Sequence, residues 1–238
     1  MNATEVKLHT YTLNTHNVWW KQLENHVTLV PHDRFALHGP KNINISSFLL
    51  PHQSDFLRLD ILRLEGGVYL DMDMFPLKPF SDLLSNPRDA VLGHEGGNRY
   101  GLGNAVILTR PSSAFLLKWW ATYASFNDRI WNDHSVLIPK RIAISHPDLV
   151  CTLSPTVFYW PTWAKTHTHY MHDPISANEV VELKGNMSRY GGAMYENQLG
   201  WHGSGGGLDY LSKLTPEALL TTDTRFNILL REVYAAEL

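Results

Sequence analysis

Two carboxylates that stand one residue apart, Asp71 and Asp73, carry the clearest chemical signal in the chain. They directly follow a short apolar run, residues 68–70, which is typical of a buried strand. Acidic oxygens gathered where a strand ends suit a hard cation such as Mg²⁺ or Mn²⁺. Such an ion can neutralise the charge that grows on a diphosphate as it leaves. The alternative is a solvated acidic turn, since paired aspartates at this spacing are common in proteins of every kind.

The elements around this pair alternate between helices and short apolar strands. Helices are predicted at residues 17–27, 52–65, 111–123 and 223–236, with a further helix starting at Thr215, and strands at residues 28–30, 68–70, 90–93 and 105–109. Gly66-Gly67 is expected to end the helix before the pair. This alternation predicts an α/β domain with a mainly parallel central sheet. Ligands bind such sheets at the carboxyl ends of strands, which is where Asp71 and Asp73 fall.

Composition narrows the classes of function. The 238 residues suffice for a buried core, and we predict a single domain over residues 1–238. A net charge of −3 without basic runs argues against nucleic acid as a partner. Cys151 is the only cysteine, which excludes a disulfide within this chain and a cysteine-based metal site. No run approaches the roughly 20 apolar residues of a membrane span.

The block from His52 to Pro76 adds a longer pattern to the pair. It reads Ser-Asp, two residues, Arg, an apolar helix, Gly-Gly, an apolar strand with Tyr, and then Asp-x-Asp. This block strongly resembles the Asp-x-Asp sugar-binding region of family 32 glycosyltransferases and of related enzymes, including α-1,4-galactosyltransferases and the large clostridial glucosylating toxins. The core of the resemblance spans about residues 28–110. Weaker similarity at residues 131–135 and 158–161 extends it to about residues 15–205.

The resemblance implies a nucleotide-diphospho-sugar transferase domain of the GT-A type. The implied activity is metal-dependent transfer of a sugar from a nucleotide-diphosphate donor to an acceptor hydroxyl, with retention of the anomeric configuration. Mn²⁺ or Mg²⁺ is the implied cofactor. The implied partners are a nucleotide-sugar donor and a glycan, glycolipid or glycoprotein acceptor, and the implied location is the Golgi lumen.

The resemblance also assigns the metal ligands. Asp71 is expected to contact the ribose and the metal, and Asp73 to ligate the metal directly, so that both serve catalysis. His202 resembles the histidine of the family's closing segment and is expected to be the third ligand. Family members often place a tryptophan shortly after this histidine, whereas this chain has the glycine-rich residues 203–207. These glycines would allow a mobile loop that closes over the donor.

Four further residues are expected to contact the donor: Asp55, Arg58, Tyr69 and Asn104. Asp55 is expected at the ribose or base, and Arg58 at a phosphate or sugar hydroxyl, which suits its planar fork. Their i,i+3 spacing fits an intrahelical ion pair equally well. Tyr69 is expected in the core, with a hydroxyl that reaches the site as the second option. Asn104 is expected to bind the donor sugar, to hold the acceptor, or to stabilise a turn.

Other interpretations stay open at this point. Family members generally begin with a strand of the type Ile-Pro-Lys-Ile-Ile-His-Gln-x-Trp, and no such segment precedes Trp19-Trp20. We therefore expect a domain that lacks its first strand and binds nucleotide weakly. The alternative to a transferase is a degenerate, non-catalytic sugar-nucleotide-binding domain. An aspartate-nucleophile phosphatase also places Asp-x-Asp after an apolar strand, but Phe75 and the preceding helix argue against it.

Two histidine-containing segments are less informative. His167, His169 and His172 are predicted to lie in a loop, where solvent exposure and metal ligation are the two options. Asp133-His134 is predicted to be an acceptor-side or supporting pair, with a helix N-cap at Asp133 as the alternative.

Overall fold

A small parallel sheet precedes the central part of the fold. The computed structural model describes residues 3–203 and 209–235. Strand β1 (Lys7–Thr10) is followed by helix α1 (Val18–Leu23) and by β2 (Thr28–Pro31), which pairs with β1 in parallel. The sequence predicted no strand ahead of the Trp19-Trp20 helix, and this prediction was wrong. Leu8 is the single aliphatic residue of β1, so this strand is specified by backbone pairing with β2 and leaves little trace in the hydrophobic pattern.

Helix α2 (Leu50–Glu65) confirms the helix predicted before the aspartate pair. Its inner face buries Phe56, Leu59 and Leu62 in the core. It ends at Gly66, whose φ of +67° is a conformation that only glycine adopts without strain. A Cβ at this position would also lie 2.5 Å from the Pro111 side chain. Both the backbone conformation and the space beside Pro111 therefore require glycine at the end of α2. The next strand begins directly after it.

The central sheet and its helices follow in chain order. They are β3 (Gly67–Leu70), β4 (Met74–Pro76), α3 (Ser81–Leu84), β5 (Ala90–Glu95), β6 (Gly101–Thr109), α4 (Ala114–Thr122), α5 (Ile138–Ser145) and β7 (Val150–Leu153). Four of these strands form one sheet in the order β3-β6-β5-β7. Alternate residues of β6 enter different cores, because Ile107 packs on the side of α2 and α4 while Val106 and Leu108 pack on the opposite side.

The sheet is mixed, so the prediction of a mainly parallel sheet was wrong. β6 runs antiparallel to both β3 and β5, whereas β5 and β7 are parallel. Residues 96–100 alone connect β5 to β6, and a parallel pair needs a crossover of a dozen or more residues. Such a crossover exists between β5 and β7, where α4 and α5 intervene.

The remaining elements build a third core beside the sheet. They are α6 (Lys165–His172), α7 (Ala177–Tyr190), β8 (Gly200–His202), α8 (Pro216–Thr221) and α9 (Arg225–Ala235). Thr215 caps α8 as predicted, since its hydroxyl accepts a hydrogen bond from the Ala218 amide at 3.1 Å. β8 pairs antiparallel with β4, which attaches this part of the chain to the aspartate pair. Within the described residues, we find no helix that is both long and apolar enough to cross a membrane.

Candidate metal and donor site

The two aspartates occupy a tight turn between β3 and β4. The Asp71 amide donates to the Ala105 carbonyl of β6 at 2.9 Å, and the Met74 amide donates back to the Asp71 carbonyl at 3.0 Å. The ladder between β4 and β8 places Met74 opposite His202. It continues in a hydrogen bond of 2.8 Å from the Gly203 amide to the Asp73 carbonyl. His202, which is distant in sequence, is thereby brought to the aspartate turn by strand pairing.

Asp71, Asp73 and His202 offer three ligand atoms that all lie within 4.8 Å of one another. The His202 Nε2 atom is 3.2 Å from Asp73 Oδ1 and 3.9 Å from Asp71 Oδ2. Ligands on opposite sides of a small divalent ion are about 4.2 Å apart, because each bond is about 2.1 Å long. The three atoms therefore need only a small contraction to enclose one ion, and two carboxylates with one imidazole suit Mn²⁺ or Mg²⁺.

Asp71 is held more firmly than Asp73. The Tyr69 hydroxyl donates to Asp71 Oδ1 at 2.6 Å, and Arg58 Nη1 lies 3.0 Å from the same oxygen. Asp73 is bound by His202, and this interaction lowers the pKa of Asp73 below its ordinary value, although burial opposes it. Burial raises the pKa of Tyr69, so its hydroxyl stays protonated as a donor. In this turn, Asp71 is therefore held in position by Tyr69 and Arg58, whereas Asp73 is paired with His202, the third candidate metal ligand.

Arg58 is the centre of a buried polar network beneath this turn. Its side chain is 6% exposed, and it pairs with Asp55 at 3.2 Å as well as with Asp71. Its Nη1 also donates to the Asn104 carbonyl at 2.9 Å. Both Ser54 oxygens accept hydrogen bonds from it at 3.2 Å. The guanidinium therefore uses its donors for hydrogen bonds within the protein, and it links α2 to the end of β3 and to β6.

Asp55 and Asn104 complete the network. The Asn104 amide donates to Asp55 Oδ1 at 2.7 Å, across from α2 to β6. Burial raises the pKa of Asp55, while the charge of Arg58 and the Asn104 hydrogen bond oppose the shift. Asn104 lies within β6, so a turn-stabilising contact is not its role. The Tyr69 ring packs against the core and its hydroxyl reaches Asp71, so both options foreseen for this residue are realised together.

Both aspartates, together with Ser54 and Tyr69, line a cleft of about 580 Å³. Its walls combine polar site residues with apolar side chains from two distant segments: Ser54, Tyr69, Asp71, Met72, Asp73, Phe75, Leu211 and Leu214. A volume of this size is typical of small-molecule sites. The predicted mobile glycine loop after His202 falls largely on residues 204–208, which lie outside the described residues.

The structure does not bring the other histidine segments to this cleft. His167, His169 and His172 lie on α6, so the predicted loop was wrong. His172 is buried and stacks on Tyr210 with ring centroids 4.2 Å apart, and burial lowers its pKa to about 4. Among the described residues, Asp71, Asp73 and His202 form the one group of three side chains placed to share a metal ion.

The Asp133-His134 pair has a structural setting. Asp133 opens a π-helical turn (Asp133–Leu137) and accepts a hydrogen bond from Arg141 at 2.6 Å. It does not cap a helix with its side chain, in contrast to one of the two options foreseen for it. His134 is buried against Tyr123 and Phe126.

Sequence reasoning missed two residues near the triad. The Tyr159 ring lies edge-on to the His202 ring with centroids 5.7 Å apart, and it belongs to an irregular segment without a repeating pattern. Glu95 ends β5 and interacts electrostatically with His202. Its position at a strand end was a usable signal, because ligand-binding groups collect there.

Comparison with known proteins agrees with this geometry. Residues 4–92 match the family described as "Glycosyltransferase sugar-binding region containing DXD motif". Over 229 residues the chain is 32% identical to Glucan organizing enzyme 1 of Cryptococcus neoformans var. grubii serotype A, with 90% of this chain and 55% of that protein aligned. The chain spans about half the length of this relative. No solved structure matches the chain.

Proposed function

We propose that this chain, which carries a glycosyltransferase sugar-binding region of the DXD-containing family in residues 4–92, transfers a sugar from a nucleotide-diphosphate donor to an acceptor hydroxyl with the help of a divalent metal ion. The observation that carries the proposal is the convergence of Asp71, Asp73 and His202, of which both aspartates line a cleft. These residues come from two distant segments, and β4–β8 pairing aligns them. An acidic turn without function would not require a histidine from a distant strand beside it.

Asp71, Asp73 and His202 would hold the ion against the donor diphosphate. The ion supplies charge neutralisation for the leaving nucleotide diphosphate. His202 would hold the ion through an imidazole nitrogen, and Asp73 would hold it through a carboxylate oxygen. Tyr69 and Arg58 keep Asp71 in place, so that its oxygens meet the donor without rearrangement.

The buried network would form the sugar and ribose end of the site. Asp55 and Asn104 are hydrogen-bonded to each other, and we propose that they present their remaining polar atoms to donor hydroxyls. Arg58 was expected to touch a phosphate or hydroxyl directly. Because its donors already serve Asp55, Asp71, Ser54 and Asn104, we propose that Arg58 acts on the donor by positioning Asp55 and Asp71.

Finer features of the proposal rest on family resemblance and on the relative. Retention of configuration, a GT-A type of domain and a Golgi location remain proposals of this kind. The name of the relative, Glucan organizing enzyme 1, favours a glucan-related carbohydrate on the acceptor side.

The test is a donor-hydrolysis screen across UDP- and GDP-sugars with Mn²⁺, with Mg²⁺ and with chelator. We expect turnover of one nucleotide class that disappears with chelator, and NMR of the released sugar should show the α-anomer first from an α-linked donor. Calorimetry with the same donors distinguishes a binding domain without catalysis, which would give heat of binding but no turnover.

A phosphatase would instead hydrolyse a chromogenic phosphate ester in the same assay buffer. Phe75 and the Ser-Asp-x-x-Arg helix that precedes the aspartate pair argue against this second enzyme class.

A further inference from the structure

A second cleft, of about 410 Å³, lies beyond the end of β5. Its walls come from the turn that joins β5 to β6 and from two later loops: Gly96, Gly97, Asn98, Tyr100, Asn132, Thr162 and Trp163. This volume falls within the roughly 300–1,000 Å³ that is usual for small-molecule sites. None of the roles assigned above to the metal and donor site uses this cleft.

The chemistry of its walls differs from that of the metal cleft. No described residue that lines it carries a charge. Two aromatic side chains face solvent here, since Tyr100 is 41% and Trp163 is 54% exposed. Amides of Asn98 and Asn132 and the hydroxyl of Thr162 stand beside these rings. Aromatic faces cover the apolar C–H face of a sugar ring, while amides and hydroxyls match its hydroxyls. A charged ligand would find no countercharge among these walls.

The cleft is built in advance of any ligand. A Cβ at Gly97 would lie 2.8 Å from the Trp160 ring, so glycine lets the turn settle on this ring. The Lys140 ammonium donates to the Arg99 carbonyl at 2.6 Å and to the Tyr100 carbonyl at 3.2 Å, which pins the turn to α5. Such prior fixing of the walls reduces the entropy lost on binding.

Two of the polar walls are fixed as well. The Asn132 amide donates to the Tyr100 hydroxyl at 3.1 Å. The Thr162 hydroxyl lies 2.7 Å from His167 Nδ1 on α6. Helix α6 thereby supports the second cleft, although its histidines do not reach the metal cleft.

Covalent and hydrogen-bonded links join this cleft to the metal triad. Glu95 directly precedes Gly96 in the wall of this cleft, and it interacts electrostatically with His202. The His202 amide donates to the Phe158 carbonyl at 2.9 Å, and the neighbouring Trp201 indole donates to the Pro161 carbonyl at 3.0 Å. The strand that supplies His202 therefore also positions the segment that supplies Thr162 and Trp163.

We propose that the second cleft binds the neutral saccharide that accepts the transferred sugar, with the Trp163 and Tyr100 rings as its stacking surfaces and Asn132 and Thr162 as hydroxyl partners. This inference rests on the proposed function and names its acceptor class and acceptor site. Glu95 and β8 connect the cleft to the metal triad, toward which an acceptor hydroxyl must be directed.

The experiment titrates neutral gluco-oligosaccharides, laminaritetraose and maltotetraose, into the full chain by calorimetry without nucleotide or metal. At least one of them should bind, and Trp163→Ala should weaken this binding about tenfold, because a stacking surface is lost. Trp163→Phe keeps an aromatic face and should weaken it less than threefold. Trp19→Ala is the matched control, since Trp19 on α1 is 53% exposed but lies on another element, and it should bind like the wild type.

Absence of saccharide binding, an unchanged affinity in Trp163→Ala, or an equal loss in Trp19→Ala would each overturn the inference. Thermal melting of each variant verifies the fold. Donor hydrolysis by the wild type is scored separately, with water as the acceptor. Hydrolysis without Trp163-dependent saccharide binding leaves the proposed function intact and rejects the acceptor cleft. Trp163-dependent saccharide binding without donor turnover would show a saccharide-binding cleft, but it would reject the proposed function and the acceptor role with it.

Discussion

Helix α2 carries two Asp–Arg pairs at the same i,i+3 spacing, Asp55–Arg58 and Asp60–Arg63. In both pairs the guanidinium also lies over an aromatic ring, 4.5 Å from the Tyr69 centroid for Arg58 and 4.6 Å from the Trp120 centroid for Arg63. Both rings then donate a hydrogen bond to a carboxylate: the Tyr69 hydroxyl to Asp71 and the Trp120 indole to Asp60. The same local arrangement therefore occurs at the candidate site and away from it.

The two pairs differ in burial and in what they reach. The side chains of Asp55 and Arg58 are 13% and 6% exposed, whereas those of Asp60 and Arg63 are 27% and 25% exposed. Arg58 continues to a third carboxylate, Asp71, at the end of another strand. The i,i+3 spacing is enough to form an ion pair. Whether this pair stays a contact on one helix or supports a binding site depends on the residues that the fold brings next to it.

The largest expected difference between the two pairs is the loss of stability when each arginine is removed. Arg58→Met leaves Asp55 and Asp71 without their common countercharge and should cost about 3–5 kcal/mol in the free energy of unfolding. Arg63→Met breaks a pair that is only partly buried, and it should cost about 1 kcal/mol. Urea denaturation of both variants measures the difference, and equal losses would show that the two pairs are equivalent after all.

Neutralising Asp55 should lower donor turnover far more than neutralising Asp60. Asp55→Asn alters the partner of both Arg58 and Asn104 and should lower donor turnover by about tenfold to a hundredfold, since displacements of about 1 Å near the chemistry have effects of this size. Asp60→Asn should leave turnover within about twofold of the wild type. Steady-state rates with the donor identified by the hydrolysis screen decide the matter. A loss in Asp60→Asn as large as that in Asp55→Asn would remove the distinction.

The aromatic partners should give the smallest contrast. Tyr69→Phe keeps the ring over Arg58 but deletes the hydrogen bond to Asp71. It should weaken Mn²⁺ binding about tenfold, the lower end of the range that is typical of supporting contacts around a metal. Trp120→Phe deletes the equivalent bond to Asp60 and should leave Mn²⁺ affinity unchanged. Fluorescence or calorimetric titration with Mn²⁺ tests both, and an unaltered affinity in Tyr69→Phe would mean that Asp71 needs no such support.

Much of the local structure around the aspartate pair is predictable from sequence. Helix α2 follows from its apolar spacing and from Gly66, and β3 follows from the apolar run before Asp71. The direction of neighbouring strands is a different matter. Antiparallel pairing of β3 with β6 depends on contacts between distant segments, which leave no periodic signal in either strand.

Some residues of the site are likewise predictable from the sequence, and others are not. Asp55, Arg58, Tyr69 and Asp71 are found because a short block contains them all. His202 is suggested by family resemblance alone, because its approach to Asp73 depends on the pairing of β4 with β8. Trp163 carries no sequence signal, since it lies in an irregular segment and acquires its neighbours only in the folded chain.

The central claim is that Asp71, Asp73 and His202 bind one divalent ion. Electron paramagnetic resonance with Mn²⁺ measures free ion directly, so it reports binding without an active enzyme or a known donor. The account predicts one Mn²⁺ site in the wild type, retained in the exposed-carboxylate control Asp148→Asn, weakened at least about tenfold in His202→Ala and about a hundredfold or more in Asp73→Asn. Mn²⁺ binding of equal strength in the wild type and in Asp73→Asn would contradict it.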